Sequence, residues 1–480
     1  MKKFRCLSFP GGILATLLLL GGCTIGPKYV KPLAPAPAPD TYKEAANFQP
    51  SQPDDAAPRG NWWEVFQDSR LNALEQQIDV SNQNLKAAQA QYMQARAAVR
   101  YYRAAYYPIV GVNPAASRTG QSQNKALFTT GELVQYNDFL LPVDISYEPD
   151  IWGQVRRTVE SARAQAQASA ADLATVNLSL HAELAMDYFQ LRGLDTEEQL
   201  LNSTVDAFQS SLNLTEDRFK GGLASAVDVA QAQAQLETTR AQAIDVAVQR
   251  AAFEHAIAVL IGQPASSFAL AFTPLLVPPP GIPPGLPSQL LERRPDIAAA
   301  ERRVDAANAQ IGVAKTAYYP SITLSASGGF ESSALTTLIS GPSALWAVGA
   351  SALESIFEGG RRHAVTAQAQ AAFDQSVAEY RQTVLVAFQE VEDNLAAQRI
   401  LEQEAATEDA AVASAQHSLA LSDNRYKGGV TSYLEVITAQ SAALANERAA
   451  ADILTRRAVA SVLLVKALGG GWNVAKLPLD

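Results

Sequence analysis

The chain has 480 residues, with 48 acidic against 38 basic side chains, a net charge of −10, four histidines and two cysteines. An acidic chain without clustered Lys and Arg is not built to bind nucleic acid. Two cysteines, and histidines in no metal-binding spacing, leave no disulfide framework and no Cys/His metal centre.

Residues 1–22 read as a secretory signal. Lys2, Lys3 and Arg5 precede an apolar run from Gly11 to Leu20, shorter than the roughly 20 apolar residues a membrane-spanning helix needs. The run ends in Leu20-Gly21-Gly22-Cys23, which resembles a bacterial lipobox, a site cleaved before a cysteine that is then acylated. Thr24, rather than an aspartate, follows Cys23 and is compatible with the outer membrane. Cleavage removes Cys6 and the three basic residues, leaving 35 basic against 48 acidic residues, a net charge of −13. No later apolar run reaches 18 residues, so a membrane crossing would need a closed β-barrel. Residues 31–40, Lys-Pro-Leu-Ala-Pro-Ala-Pro-Ala-Pro-Asp, favour extended polyproline geometry. Residues 23–60 are therefore expected to be a lipidated N-terminus and spacer, with the folded body beginning near Asn61.

The body reads as one unit written twice, over 61–262 and 288–480, joined by a proline-rich linker at 263–287. Arg218-Phe219-Lys220-Gly221-Gly222 returns as Arg425-Tyr426-Lys427-Gly428-Gly429, 207 positions later. Tyr106-Tyr107-Pro108 returns as Tyr318-Tyr319-Pro320, and Gly153-x-x-Arg156-Arg157 as Gly359-x-Arg361-Arg362. Each unit is expected to run helix, two strands, very long helix, tight turn, long helix. The first helix spans about Phe66 to Tyr102, with Leu71, Leu74, Ile78, Leu85 and Tyr92 as its apolar stripe. Its counterpart opens at Arg294-Pro295-Asp296-Ile297 and ends near Ala317.

Strands are expected at about 107–149 and 319–356. Val143, Ile145 and Tyr147 alternate with Asp144, Ser146 and Glu148. Ile322, Leu324 and Ala326 alternate with Thr323, Ser325 and Ser327. Such alternation suits a barrel wall between lipid and a wet lumen, or a soluble hairpin with one buried face. Pro114 and Pro142 are expected at strand ends or bulges. Four strands cannot close a barrel, whereas three chains would supply twelve.

The very long helices cover about 153–219 and 360–426, on the order of 100 Å each. Apolar residues step by three and four, and small side chains fill much of the rest, as in coiled-coil packing. Each ends at Lys-Gly-Gly, a helix stop with basic residues at the negative end of the dipole. Ser225-x-x-Asp228 and Ser432-x-x-Glu435 then fit capping boxes. The two acids have two readings: caps alone, or carboxylates at a narrow pore mouth that pair across helices. His181, His255, His363 and His417 are scattered over long helices, where a lone histidine is usually a polar surface or interface residue. There is no nucleophile elbow and no phosphate-cradling loop, so an enzyme is not expected.

In this order the features resemble the TolC-like outer-membrane factors of tripartite efflux pumps, in particular their lipidated OprM/NodT-like branch. The marks are the lipobox, Trp62-Trp63 with Phe66, Asp68 and Leu71, Asp150-Ile151-Trp152-Gly153, Arg293-Arg294-Pro295-Asp296-Ile297, Phe357-Glu358-Gly359-Gly360-Arg361, and the two Lys-Gly-Gly tips. The resemblance implies a mainly α fold with a small β part. It implies a homotrimer with a twelve-stranded outer-membrane barrel continuous with a periplasmic helical barrel. It implies lipidation at Cys23 and contact with outer-membrane lipid. The partners it implies are a periplasmic adaptor and an inner-membrane pump; it implies no cofactor or metal. The tip residues Arg218, Lys220, Gly221, Gly222, Arg425, Lys427, Gly428 and Gly429 become candidates for adaptor docking. Asp228, Leu434, Glu435 and Thr438 fall where the family builds its constriction. Related lipoproteins often carry aspartate where this chain has Thr438; here the nearest carboxylate is Glu435. The function implied is a passive exit duct for small toxic solutes. The alternatives are a duct for type I protein secretion and a lipid-anchored periplasmic coiled-coil scaffold.

Overall fold

The computed structural model describes residues 24–35, 41–45, 60–120, 122, 135–282 and 292–478. Cys23 and the signal segment lie outside the described residues. The first repeat comprises α1 (Ser69–Ser81), α2 (Gln83–Arg103), β1 (Ile109–Val112), β2 (Ala115–Gly120), β3 (Gln135–Tyr147), α3 (Gln154–Lys220) and α4 (Ala226–Leu260). The second comprises α5 (Pro295–Thr316), β4 (Ser321–Ser332), β5 (Ala344–Leu353), α6 (Arg361–Lys427) and α7 (Tyr433–Ala467).

The expected single helix over Phe66–Tyr102 is instead two helices preceded by a 3-10 turn at Trp62–Phe66. Asn82 causes the break. Its backbone is extended, its side chain caps α2 through the amide of Leu85 at 2.9 Å, and its Nδ2 donates to the Leu260 carbonyl at 2.7 Å. A buried asparagine that ties off two helix ends outweighs one more turn of helix.

Strands pair antiparallel in the order β1–β3–β4–β5, with β2 also on β3. Register sorts the side chains by chemistry. Val110, Ile145, Ala326 and Val348 stand in one cross-strand row, and Val112, Val143, Gly328 and Trp346 in the next on the same face. The opposite face carries Asp144, Ser327, Ser325 and Ser351, with Ser327 donating to Asp144 at 2.7 Å. Pro114 falls in the break between β1 and β2, as expected. Pro142 does not lie at an end; it sits inside β3 opposite Gly329. On its other side β1 pairing stops at Val143 and β2 pairing begins at Leu140. The missing proline donor is thus absorbed at a gap in the ladder. Among the described residues both outer edges, β1/β2 and β5, have no strand partner, a state natural sheets rarely leave uncovered.

The long helices α3 and α6 have 67 residues each, about 100 Å at 1.5 Å per residue. The main apolar core lies midway along them. Leu184, Tyr188 and Leu191 of α3 and Tyr380, Val384 and Val391 of α6 meet Leu71, Ile78, Ile297, Val304, Val462 and Val465. Close approach elsewhere needs small residues. A Cβ on Gly193 would lie 2.2 Å from the Thr455 hydroxyl. The inter-repeat stretch is packed rather than free: Leu270, Leu275 and Ile282 are buried, and Asp195 accepts from the Thr273 amide at 2.7 Å. Among the described residues no helix is long and apolar enough to cross a membrane.

Candidate gate and docking tips

Each long helix ends in a glycine pair, and only the second glycine of each pair is left-handed. Gly222 has φ 76° and Gly429 φ 72°. The amide of Leu223 returns to the Arg218 carbonyl at 2.7 Å, and that of Val430 to the Arg425 carbonyl at 2.9 Å. These bonds satisfy orphan carbonyls and reverse the chain within a few residues. Lys220 and Lys427 pair locally with Asp217 (3.3 Å) and Asp423 (2.6 Å) and remain largely exposed.

The two acids that begin the return helices differ. Asp228 completes a capping box: Ser225 Oγ accepts from its amide at 3.2 Å, and its carboxylate accepts from the Ser225 amide at 2.8 Å. The box expected at Ser432 and Glu435 is not formed. Glu435 pairs instead with Arg425 at 3.2 Å. The extra methylene of glutamate lets it reach across the turn to a guanidinium. Thr438 donates back to the Leu434 carbonyl at 2.9 Å, as a helix-interior threonine does. Leu434 is 57 % exposed. Asp228 and Glu435 thus share a sequence position but not a role.

The two tips also touch each other, a contact that the repeated motif does not reveal. Arg218 lies over the Tyr426 ring, 4.7 Å from its centroid, and its Nη1 donates to the Lys427 carbonyl at 3.1 Å. Tyr426 and Tyr433 stack obliquely at 5.3 Å. Tyr426 donates to Thr215 Oγ1 at 3.3 Å, and the Tyr433 hydroxyl lies 3.0 Å from Ser211 Oγ. Both tyrosines sit in a small core with Phe208, Leu212, Leu236 and Val436. Burial pushes the Tyr433 hydroxyl above its ordinary pKa. The only signal in the sequence was Tyr426 in place of Phe219 at the matched position.

The energies rank these contacts. The Arg425–Glu435 pair is about half exposed on both sides, so it contributes no more than about 1 kcal/mol. A cation over a ring contributes about 0.5–2 kcal/mol. Each can break without unfolding a helix. The tyrosine core holds the hairpins together a turn further in. The tips also present Leu223, Val227, Val430 and Leu434 to solvent, an apolar set that a single chain leaves uncovered.

The family motifs are joints elsewhere in the molecule. Asp68 caps α1 and accepts from Tyr188 (2.8 Å) and Arg192 (2.5 Å). Asp150 accepts from the Val155 and Arg156 amides, and Trp152 donates to the Pro320 carbonyl. Arg294 grips Asp296 and Glu390, each at 2.6 Å. His181 is buried, not a surface residue: its Nδ1 lies 2.6 Å from Glu75 Oε2, and Trp63 stacks on its ring. Burial pushes Glu75 up to about 7, against the opposing pull of His181. Among the described residues no cluster of His, Cys, Asp and Glu could hold a metal.

A long helical stem runs from a two-faced sheet to a linked pair of glycine turns at its far end. The family model for outer membrane efflux proteins matches residues 74–263 and 286–470. The outer membrane protein OprJ of Pseudomonas aeruginosa is 32 % identical over 469 residues, covering 97 % of this chain and 96 % of that one. The pyoverdine export outer membrane protein OpmQ of the same organism is 32 % identical over 470 residues, 96 % of each chain. Among solved structures, the outer-membrane channel OprN superposes with a TM-score of 0.86 at 30 % identity, covering 94 % of this chain and all of that one. The CmeC channel of Campylobacter jejuni gives 0.87 at 25 % identity, covering 95 % and 96 %. The chain belongs to the outer membrane efflux protein family, and it is the outer-membrane exit duct of a tripartite efflux system.

Proposed function

We propose that three copies pair edge to edge, β5 of one with β1/β2 of the next, to close a twelve-stranded barrel. Solutes then pass down a wet lumen that continues through the helical stem. The duct is passive, and an RND-type inner-membrane pump supplies the energy. Cys23 carries the acyl anchor. The glycine tips at Gly221, Gly222, Gly428 and Gly429, with Arg218, Lys220, Arg425 and Lys427, receive a periplasmic adaptor. The adaptor opens the gate by drawing Arg218 from the Lys427 carbonyl and Arg425 from Glu435. Leu434 and Thr438 lie one turn apart on one side of α7, next to Glu435, and Asp228 keeps the first return helix capped while the tips move. Relatives of similar identity are named for toluene efflux and for pyoverdine export. This supports a duct that accepts small toxic solutes broadly, with selection at the pump.

The observation that carries this reading is the sheet, with one apolar face, one polar face and, among the described residues, two unpaired edges, running directly into helices of about 100 Å. Electron microscopy of the mature protein in mild detergent tests it. A hollow three-fold cylinder with one detergent-ringed end is expected. A monomer, or a solid rod without a detergent belt, would overturn it.

A further inference from the structure

The proline-rich N-terminal stretch is docked on the body where the spacer reading expects a free tether. Arg157, in the first turn of α3 and 5 % exposed, donates to three successive carbonyls. Its Nε reaches Ile25 at 3.2 Å, and its Nη2 reaches Gly26 at 3.4 Å and Pro27 at 3.0 Å. Its Nη1 holds Glu160 at 2.8 Å. Asn308 of α5 adds a bond to the Pro27 carbonyl at 3.2 Å, and the Ile25 amide donates to the Trp152 carbonyl at 3.2 Å. The fit requires glycine twice. Gly26 has φ +109°, and a Cβ there would lie 2.5 Å from Gly312 Cα; a Cβ on Gly312 would lie 2.9 Å from Arg157 Cγ. A buried arginine near a helix N-terminus is opposed by the dipole. The carbonyls of the segment and Glu160 compensate it.

The docking continues down the molecule. Tyr29 donates to Glu301 at 3.3 Å and Lys31 pairs with the same carboxylate at 2.8 Å. Arg381 donates to the Leu33 carbonyl at 3.4 Å. Tyr42 is buried, the amides of Lys43 and Glu44 donate to the Glu392 carboxylate at 2.8 and 3.0 Å, and Arg399 pairs with Glu44 at 2.5 Å. Arg399 lies about 57 Å along α6 from its start at 1.5 Å per residue.

We propose that residues 24–35 and 41–45 act as a strap. It holds Thr24 and Ile25 against Gly153 and Trp152 at the strand–helix junction, and it ties the first repeat to the second along the barrel-side half of the stem. Arg157 is its positioning residue. The placement of a lipid rests on the proposed acylation of Cys23; the strap itself does not. Its consequence is that the barrel end stays braced while the tips part.

Hydrogen–deuterium exchange of the full-length protein purified from outer membranes tests this, because three strap amides have assigned acceptors. The Ile25, Lys43 and Glu44 amides are expected to exchange slowly in the unaltered chain. Arg157→Ala should speed Ile25 by roughly tenfold or more, with the tip peptides around Gly222 and Gly429 unchanged. Arg157→Lys should restore part of the protection, since an ammonium still donates to a carbonyl. If Arg157→Ala disturbs α3 itself, Glu392→Ala gives the independent test, freeing Lys43 and Glu44 only at the far end. Fast exchange of these amides in the unaltered chain, or no change in either variant, would overturn the strap. The mass of the N-terminal peptide is read in the same samples. An unacylated Cys23 with a slow Ile25 amide would sink the anchor reading and leave the strap standing, and the reverse result would sink the strap alone.

Discussion

Asp228 and Glu435 occupy the same place in two copies of one turn, yet the first is spent on its own helix and the second reaches across to Arg425. The separation is measurable. Glu435→Ala and Arg425→Ala are each expected to raise resting conductance severalfold in planar bilayers, because each removes one half of an exposed latch. Asp228→Ala should leave conductance unchanged and lower stability by about 1 kcal/mol, the usual cost of a lost cap. Equal conductance changes in all three would mean the acids act together at the mouth. A second residue-scale expectation concerns Glu75. Its carboxyl is raised from 4.5 to about 7 by burial. A raised folded-state value means its contribution is fully present below pH 4.5 and is lost as pH rises through 7. Urea melts between pH 4.5 and 7.5 should show stability falling across that window, and Glu75→Gln should flatten the slope. A slope unchanged by the substitution would assign the effect to other groups, Asp187 among them, which burial and Glu183 push up to about 6.

At the scale of elements, the register of β3 on β4 depends on a glycine. A Cβ on Gly329 would lie 2.1 Å from the Leu141 carbonyl, whereas one on Gly349 would meet Ser325 Oγ at an ordinary 3.5 Å. Gly329→Val is therefore expected to abolish the proposed three-chain assembly on native gels, while Gly349→Ala should assemble normally. Assembly of both would show that the ladder slips to accommodate the side chain. The helices show the same dependence on single joints. The period of the apolar residues reads across α1 and α2 as one helix, and Asn82 divides them because its partner, the Leu260 carbonyl, belongs to the C-terminal end of α4, 178 positions away. No local pattern carries that information.

At the scale of the molecule, the two faces of the sheet should tolerate charge differently. Val348 stands in the apolar row and Ala347 opposite Ser327 on the polar face. Val348→Lys is expected to cost about 2–4 kcal/mol if its row meets the bilayer midplane and to reduce the amount recovered in outer membranes. Ala347→Lys should leave that amount unchanged and alter single-channel current. The reverse pattern would turn the sheet inside out.

The sequence by itself determined what short-range physics writes. Repeated Arg-x-Lys-Gly-Gly turns, alternation of period two and apolar steps of three and four pointed to the two long helices to within a residue or two, the strands with two unlike faces and the glycine turns. These signals are legible because each is set by neighbours within one or two turns of chain. Only the tertiary structure decided the rest. His181 is buried because Glu75, 106 positions earlier, meets it across two helices. Tyr426 and Tyr433 became a core between hairpins, Glu435 chose Arg425 over its cap, and a segment read as a proline spacer became a strap because Arg157 offers donors to its carbonyls. Long polar side chains take the best partner that the fold brings within reach, and that choice is made in space after the helices have formed.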